Sequence, residues 1–156
     1  MKLFTQIISL EMQHERRERI TRAFSHNNLF DVHIVTAVYG KSLDSTVLNA
    51  LARPAAWESW QTPNVIGCML SHRKCYENLL ATSQEFSLIL EDDAILTDNF
   101  EAKIDEILVK FSKFHSKRPV VILLSNGRAS CLRRPYVTTS AVSIHKTYDA
   151  IGAYGY

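Results

Sequence analysis

The sequence predicts an α/β sandwich built around a mainly parallel sheet, and three observations carry that prediction. Short apolar runs alternate with longer amphipathic stretches in the order strand, helix, strand, helix, strand, helix, strand. The clearest helix, Asn64 to Thr82, leads directly into a buried-type run, Leu88-Ile-Leu90. That run ends in three consecutive acids, Glu91, Asp92 and Asp93, and in open α/β sheets ligands bind just beyond the carboxyl ends of such strands.

Each element follows from its own pattern. Leu3 to Leu10 is rich in Leu, Ile and Phe and reads as the first strand. Met12 to His26 places charges around Ile20, Ala23 and Phe24, and its glutamates alternate with arginines as on an exposed amphipathic helix. Val32 to Val38 is a β-branched second strand closed by Gly40. Lys41 to Pro63, broken by Pro54 and Pro63, reads as a loop with short helical turns. In the helix from Asn64, the residues Ile66, Met69, Leu70, Tyr76, Leu79 and Leu80 return at three- and four-residue spacings. Asp98 and Glu101 resemble a capping box for a helix running to about Lys113, with Ile104, Ile107, Leu108 and Phe111 on one face. Val120 to Leu124 reads as a buried strand ending at a Ser125-Asn-Gly127 turn, and Val137 to Ile144 as a further strand. Ala150 to Tyr156 resembles the start of one more, and its apolar ending suggests a longer protein cut short, the alternative being a terminal strand tied into the sheet.

The 156 residues suffice for a single domain with one core. A composition of 46% hydrophobic and 22% charged residues argues against disorder. A net charge of +2 gives no reason to expect a nucleic-acid partner. Arg16, Arg17, Arg19 and Arg22 cluster on the first helix, and Arg128, Arg133 and Arg134 late in the chain; either set suits phosphate or an anionic membrane, and a solvated face is the plainer reading for most of them. Cys68, Cys75 and Cys131 show neither a Cys-x-x-Cys spacing nor clustered histidines, which fits a reduced, cytoplasmic protein. No run approaches the roughly 18 apolar residues of a membrane span, and the first residues lack the pattern of a signal peptide.

The acids are the chemical signal. Carboxylates are hard oxygen ligands for Mg²⁺ or Mn²⁺, and such sites usually combine one or two of them with substrate phosphates. An acidic turn without a metal fits the segment equally well. Alternation along an extended chain would let Glu91 and Asp93 share a face, which suits either a metal or the acid and base of a hydrolase. The acidic run also resembles the first strand of a response-regulator receiver. However, nearly 90 residues precede it and no Asp occurs between Asp105 and Asp149, where the phosphoacceptor should lie.

Three segments, taken in order, resemble glycosyltransferase family 25, which includes bacterial lipooligosaccharide galactosyltransferases and collagen galactosyltransferases. They are Ile8-Ser-Leu10 with Glu15-Arg-Arg17, then Ile66-Gly-Cys-Met-Leu-Ser-His72, and then Leu88-Ile-Leu-Glu-Asp-Asp93; the later Ala153-Tyr-Gly-Tyr156 is similar to the family's Ala-Tyr strand. The resemblance implies a GT-A-type, Rossmann-like three-layer sandwich, incomplete at its C-terminal end. It also implies inverting transfer of galactose or glucose from a UDP-sugar to a lipooligosaccharide or other glycan acceptor, assisted by Mn²⁺ or Mg²⁺. Under it, Asp93 with Glu91 or Asp92 holds the metal, while Ser9 and Leu10 lie near the nucleotide. Arg17 is the diphosphate partner in preference to Arg16, Gly67 lets backbone approach the donor, and Ser71 and His72 bond phosphate or sugar. Cys68 reads as a buried small hydrophobe. No motif marks a general base, and Asp149 stands outside every motif. The short chain leaves room for an inactive fragment that at most binds nucleotide. Peripheral association with the inner membrane and self-association through an exposed edge complete the expectations.

Overall fold

The computed structural model describes residues 2–51, 62–111, 120–124, 130–131, 135, 137–140, 142–145 and 147–149. The chain divides into two compact units, one ending at Asp93 and the other beginning at Ala94.

The first unit holds β1 (Leu3–Ser9), α1 (His14–Phe24), β2 (Phe30–Thr36), a 3₁₀ turn (Gly40–Ser42), α2 (Ser45–Leu51), α3 (Pro63–Leu80) and β3 (Ser87–Glu91). The three strands form a parallel sheet in the order β2-β1-β3, with Ile7 opposite both Ile34 and Leu90. Among the described strands β1 is therefore central, which accounts for its near-continuous burial; β3 is buried too, and Leu88, Ile89 and Leu90 are each 3% exposed. This is the mixed α/β architecture around a parallel sheet that the alternation of elements predicts, and it is consistent with the Rossmann-like fold that the resemblance implies.

Alternation along β1 assigns its two faces. Ser9 meets Arg17 of α1, whereas Gln6, of opposite parity, meets α3, so the helices cover opposite faces of the sheet. Gln6 is fully buried and fully engaged. Its amide donates to the Cys75 carbonyl (2.9 Å) and to Ser87 Oγ (3.0 Å), and its carbonyl oxygen accepts from Asn78 Nδ2 (2.9 Å), tying α3 to two strands at once. On the other face Ile20 and Phe24 of α1 are buried, and Phe24 meets Phe30 edge-on at 4.9 Å.

α3 starts where the sequence allows it to: Thr62 caps it by accepting from the Val65 N–H, and Pro63 occupies the first turn, where its missing N–H costs nothing. The helix then runs against the 3₁₀ turn at very close range. A Cβ on Gly67 would stand 2.6 Å from the Val38 carbonyl oxygen and 2.7 Å from the Gly40 nitrogen, and one on Gly40 would meet the Pro63 carbonyl oxygen at 1.8 Å. The two glycines are needed for space, because backbone passes backbone there.

The second unit holds α4 (Phe100–Phe111) and four short strands, β4 (Ser130–Cys131), β5 (Val137–Thr138), β6 (Ser143–Ile144) and β7 (Thr147–Asp149). Ile104, Ile107 and Phe111 form the buried stripe of α4, as expected. The expected capping box is replaced by a different start. Asn99 adopts a left-handed backbone (φ 58°) and its carbonyl accepts the Lys103 N–H, so Asn99 occupies the capping position and Glu101 falls one residue short of the third helical place. Val120 to Leu124 carries no strand, and Val120 and Val121 are more than half exposed; an apolar run becomes a strand only where a neighbour pairs with it. The single strand predicted over Val137 to Ile144 is a hairpin instead. β5 and β6 pair antiparallel through Val137 and Ile144, and the Thr139 N–H donates to the Val142 carbonyl at 2.8 Å. β4 pairs antiparallel with β7. The Ser125-Asn-Gly127 turn and the strand from Ala150 lie outside the described residues.

Candidate functional site

The strand order creates the site. β1 passes to β2 on one side and β3 joins on the other, so the connections leave the carboxyl end of the sheet in opposite directions between β1 and β3. Ser9 ends β1 and Glu91 ends β3, and the Asp92 N–H extends the pairing by one bond to the Ile8 carbonyl (3.0 Å). Glu91, opposite Ile8, points to the α3 face, and Asp92 points to the α1 face.

On the α1 face, Asp92 is the hub of a buried network. Ser9 Oγ donates to Asp92 Oδ2 at 2.6 Å, a short charge-assisted bond, and accepts from Arg17 Nε at 3.1 Å. Arg17 Nη2 donates to the Ser9 carbonyl at 3.0 Å, Arg19 Nη2 to the Asp92 carbonyl at 3.1 Å, and Arg16 Nη1 lies 3.5 Å from Asp92 Oδ1 and 3.9 Å from Asp93 Oδ2. Arg16 and Arg19 thus reach the acidic turn while staying exposed, and the half-buried Arg17 reaches the end of β1.

The α3 face carries a second cluster. Glu91 Oε1 lies 3.2 Å from His72 Nε2 and 3.7 Å from Cys68 Sγ. An ionised carboxylate can only accept, so the histidine contact requires a proton on Nε2. Cys68 is half-buried at the cavity wall, not a buried hydrophobe, and burial with the Glu91 carboxylate beside it pushes its thiol from 9.0 up to about 11. Cys75, fully buried, is pushed up to about 12 by burial. Cys68 is accordingly a poor nucleophile. The rise to about 11 cuts the thiolate fraction roughly a hundredfold at neutral pH, so iodoacetamide should label Cys68 in the folded protein about a hundredfold more slowly than in urea. Peptide mapping by mass spectrometry measures that ratio, and equal rates would refute the protected thiol.

Between the clusters lies a cavity of about 270 Å³ lined by Ser9, Leu10, Arg16, Lys41, Cys68, Ser71, Glu91, Asp92 and Asp93, among others. That volume is just below the ~300–1,000 Å³ of sites that enclose drug-sized ligands, so it suits one end of an elongated ligand. Asp93 is the acid most available there: its side chain is 64% exposed against 10% for Asp92. β3 ends at Glu91, so the strict alternation invoked to pair Glu91 with Asp93 stops before Asp93.

The residues expected to contact a donor divide into two groups. Ser9, Leu10, Ser71, Glu91, Asp92 and Asp93 line the cavity, whereas Arg17, Gly67 and His72 stand behind its wall. The Arg17 guanidinium is committed to Ser9, and Arg16 is the arginine facing the cavity, reversing the preference between them. The gap left by Gly67 is filled by Val38 and Gly40 backbone and not by a ligand. Ser71 Oγ accepts from the Val38 N–H (2.8 Å) and gives its one proton to the Gly67 carbonyl (2.7 Å), which leaves no donor for a phosphate. Lys41 lines the cavity from a segment whose weak periodicity concealed it.

A family model described as glycosyltransferase family 25 (LPS biosynthesis protein) matches residues 3–134. The chain belongs to glycosyltransferase family 25. Its family 25 relatives include human procollagen galactosyltransferase 2, 29% identical over 109 residues that make up 65% of this chain and 17% of the relative. A glycosyltransferase 25 family member of Aedes aegypti is 31% identical over 109 residues, 65% of this chain and 18% of the relative. The mouse protein named inactive glycosyltransferase 25 family member 3 is 27% identical over a stretch of the same length, again 65% of this chain and 18% of the relative. The chain therefore spans less than a fifth of the length of these relatives. All the cavity residues fall within the family match, and among the described residues no helix is long and apolar enough to cross a membrane.

Proposed function

We propose that this chain forms the donor-binding portion of a glycosyltransferase domain that moves galactose or glucose from a UDP-sugar to a lipooligosaccharide or related glycan, with inversion at the anomeric carbon. The observation that supports it best is the pairing, in one cavity at the switch point of a parallel sheet, of an available carboxylate, Asp93, with the cations Arg16 and Lys41. A nucleoside diphosphate carries the complementary features, two phosphates that take a guanidinium fork and an ammonium while sharing a hard metal with a carboxylate.

The donor set fits Mn²⁺ or Mg²⁺ in kind, since Asp93 and Glu91 are carboxylates that both line the cavity. When bound, the ion supplies Lewis-acid stabilisation of the charge that develops on the departing UDP. The chain's own residues do the positioning. Arg16 and Lys41 neutralise the diphosphate, Leu10 offers an apolar edge at the end of β1, and the Ser9–Asp92–Arg17 network holds that edge still. Docking on the cytoplasmic face of the inner membrane and self-association through a sheet edge complete the reading.

A thermal-shift titration with UDP, UDP-galactose, UDP-glucose and GDP, each with and without Mn²⁺, tests the proposal. A Mn²⁺-dependent rise confined to uridine nucleotides is expected, amounting to about 2.7 kcal/mol at a hundred times Kd. Asp93→Asn should abolish the Mn²⁺ dependence while the protein still melts cooperatively. Absence of any shift in the unaltered protein would refute donor binding. Relatives named inactive favour a second reading in which the chain binds nucleotide without transferring sugar. Nucleotide binding without sugar release to any glycan acceptor would select it.

A further inference from the structure

We infer that Cys68, His72 and Glu91 form a thiolate–imidazole–carboxylate site for a borderline divalent ion, with zinc the best fit. Cys68 and His72 stand four residues apart on α3 and so share one of its faces, and β3 delivers Glu91 opposite them. One ligand atom from each residue lies within 4.8 Å of the other two.

The two separations from the Glu91 oxygen match tetrahedral zinc. Bonds of about 2.3 Å to sulfur and about 2.0 Å to nitrogen and oxygen, at tetrahedral angles, put sulfur about 3.5 Å from the carboxylate oxygen and nitrogen about 3.3 Å from it. The separations here are 3.7 Å and 3.2 Å. An ion could enter with ångström-scale adjustment of the Cys68–His72 pair alone. The ligand chemistry sorts the metals: a thiolate and an imidazole with a single carboxylate favour zinc over magnesium or manganese, whose preference for oxygen is met instead at Asp93. Three protein ligands leave a fourth position, and Cys68 and Glu91 both line the cavity, so that position opens toward it.

Binding converts Cys68–SH and Zn²⁺ into a Cys68–S–Zn⁺ unit and one released proton. His72 must present Nε2 unprotonated, so its proton on that atom is displaced to the other ring nitrogen or to solvent. Affinity therefore rises with pH. Zinc also takes Glu91 away from any ion shared with Asp93, so the site would act as a brake on metal-assisted donor binding.

The test uses the full chain and no nucleotide, so its failure is separate from that of the donor reading. Co²⁺ titration should saturate at one equivalent with a thiolate-to-cobalt charge-transfer band, and Zn²⁺ should erase that band while releasing cobalt. The band should be absent in Cys68→Ser, persist in Cys131→Ser, and require at least about tenfold more cobalt in His72→Gln. Circular dichroism melts check that each variant is folded. No charge-transfer band in the unaltered protein, which requires no variant to fold, overturns the proposal, as does a band that survives in folded Cys68→Ser.

Discussion

Gly67→Ala should destabilise the protein by about 3 kcal/mol, at the upper end of what overpacking usually costs, and lower Tm by about 6–12 °C for a chain of this size. The sign is the informative part. In the middle of an exposed helix the same change is favourable by about 1 kcal/mol, because alanine is the better helix former. Here the added methyl would enter the backbone of Val38 and Gly40 at 2.6–2.9 Å, and backbone cannot rotate away as a side chain can. Relief requires α3 to lift off the 3₁₀ turn. That movement would also break the bond from the Val38 N–H to the Ser71 hydroxyl, or force it to lengthen. Gly40→Ala should be at least as severe, since its methyl would meet the Pro63 carbonyl at 1.8 Å. Thermal melts of the two variants decide the matter, and a Tm equal to or above that of the unaltered protein for Gly67→Ala would show that the close approach carries no energetic weight.

Asp92→Ala should lower stability by about 2–3 kcal/mol and Tm by about 4–12 °C. The carboxylate accepts the 2.6 Å bond from Ser9, whose hydroxyl is 2% exposed and would lose its strong acceptor, keeping only a longer contact to the Leu10 carbonyl at 3.3 Å. Arg17 would still hold Ser9, but Arg16 would keep only the longer, solvent-screened contact to Asp93. Asp92→Asn should cost less, because the amide oxygen can still accept from Ser9. Equal melting temperatures for Asp92→Ala and the unaltered protein would remove Asp92 from its place as the hub. Asp93→Ala, on an exposed side chain, should leave stability within about 0.5 kcal/mol of its starting value. The contrast between neighbouring aspartates thus separates the acid that holds the site together from the one that is available to a ligand.

Much of this was legible in the residues. The apolar run before Glu91 announced a buried strand, and strand alternation then sends Glu91 and Asp92 to opposite faces, which is how the two clusters arise. The helix with Ile66 and Leu70 was legible because its period is long and unbroken. Other features depend on where segments meet in space, which periodicity does not encode. Arg16 and Arg17 are adjacent and chemically identical, and which one reaches the Ser9 carbonyl follows from the rotation of α1 against β1. Ser71 looks like a ligand group until the Val38 N–H is seen to need an acceptor. The approach of Gly40 to α3 joins residues from unrelated stretches, and the failure of Val120 to Leu124 to pair is likewise a property of neighbours.

The bond between Ser9 and Asp92 spans 83 positions of the chain. A ribosome making this protein releases the arginine-rich first helix long before the acids that neutralise it, so for the time needed to add some seventy residues at ~5–20 per second that helix carries an unanswered positive charge. The cavity is complete only once β3 is made, since Ile8, Ser9 and Leu10 come early while Glu91, Asp92 and Asp93 arrive last. Closing so long a loop is entropically slow to reward. A chain that stalls or is cut before residue 92 therefore leaves behind a cationic helix and half a sheet, open to whatever anion or neighbouring strand it meets first.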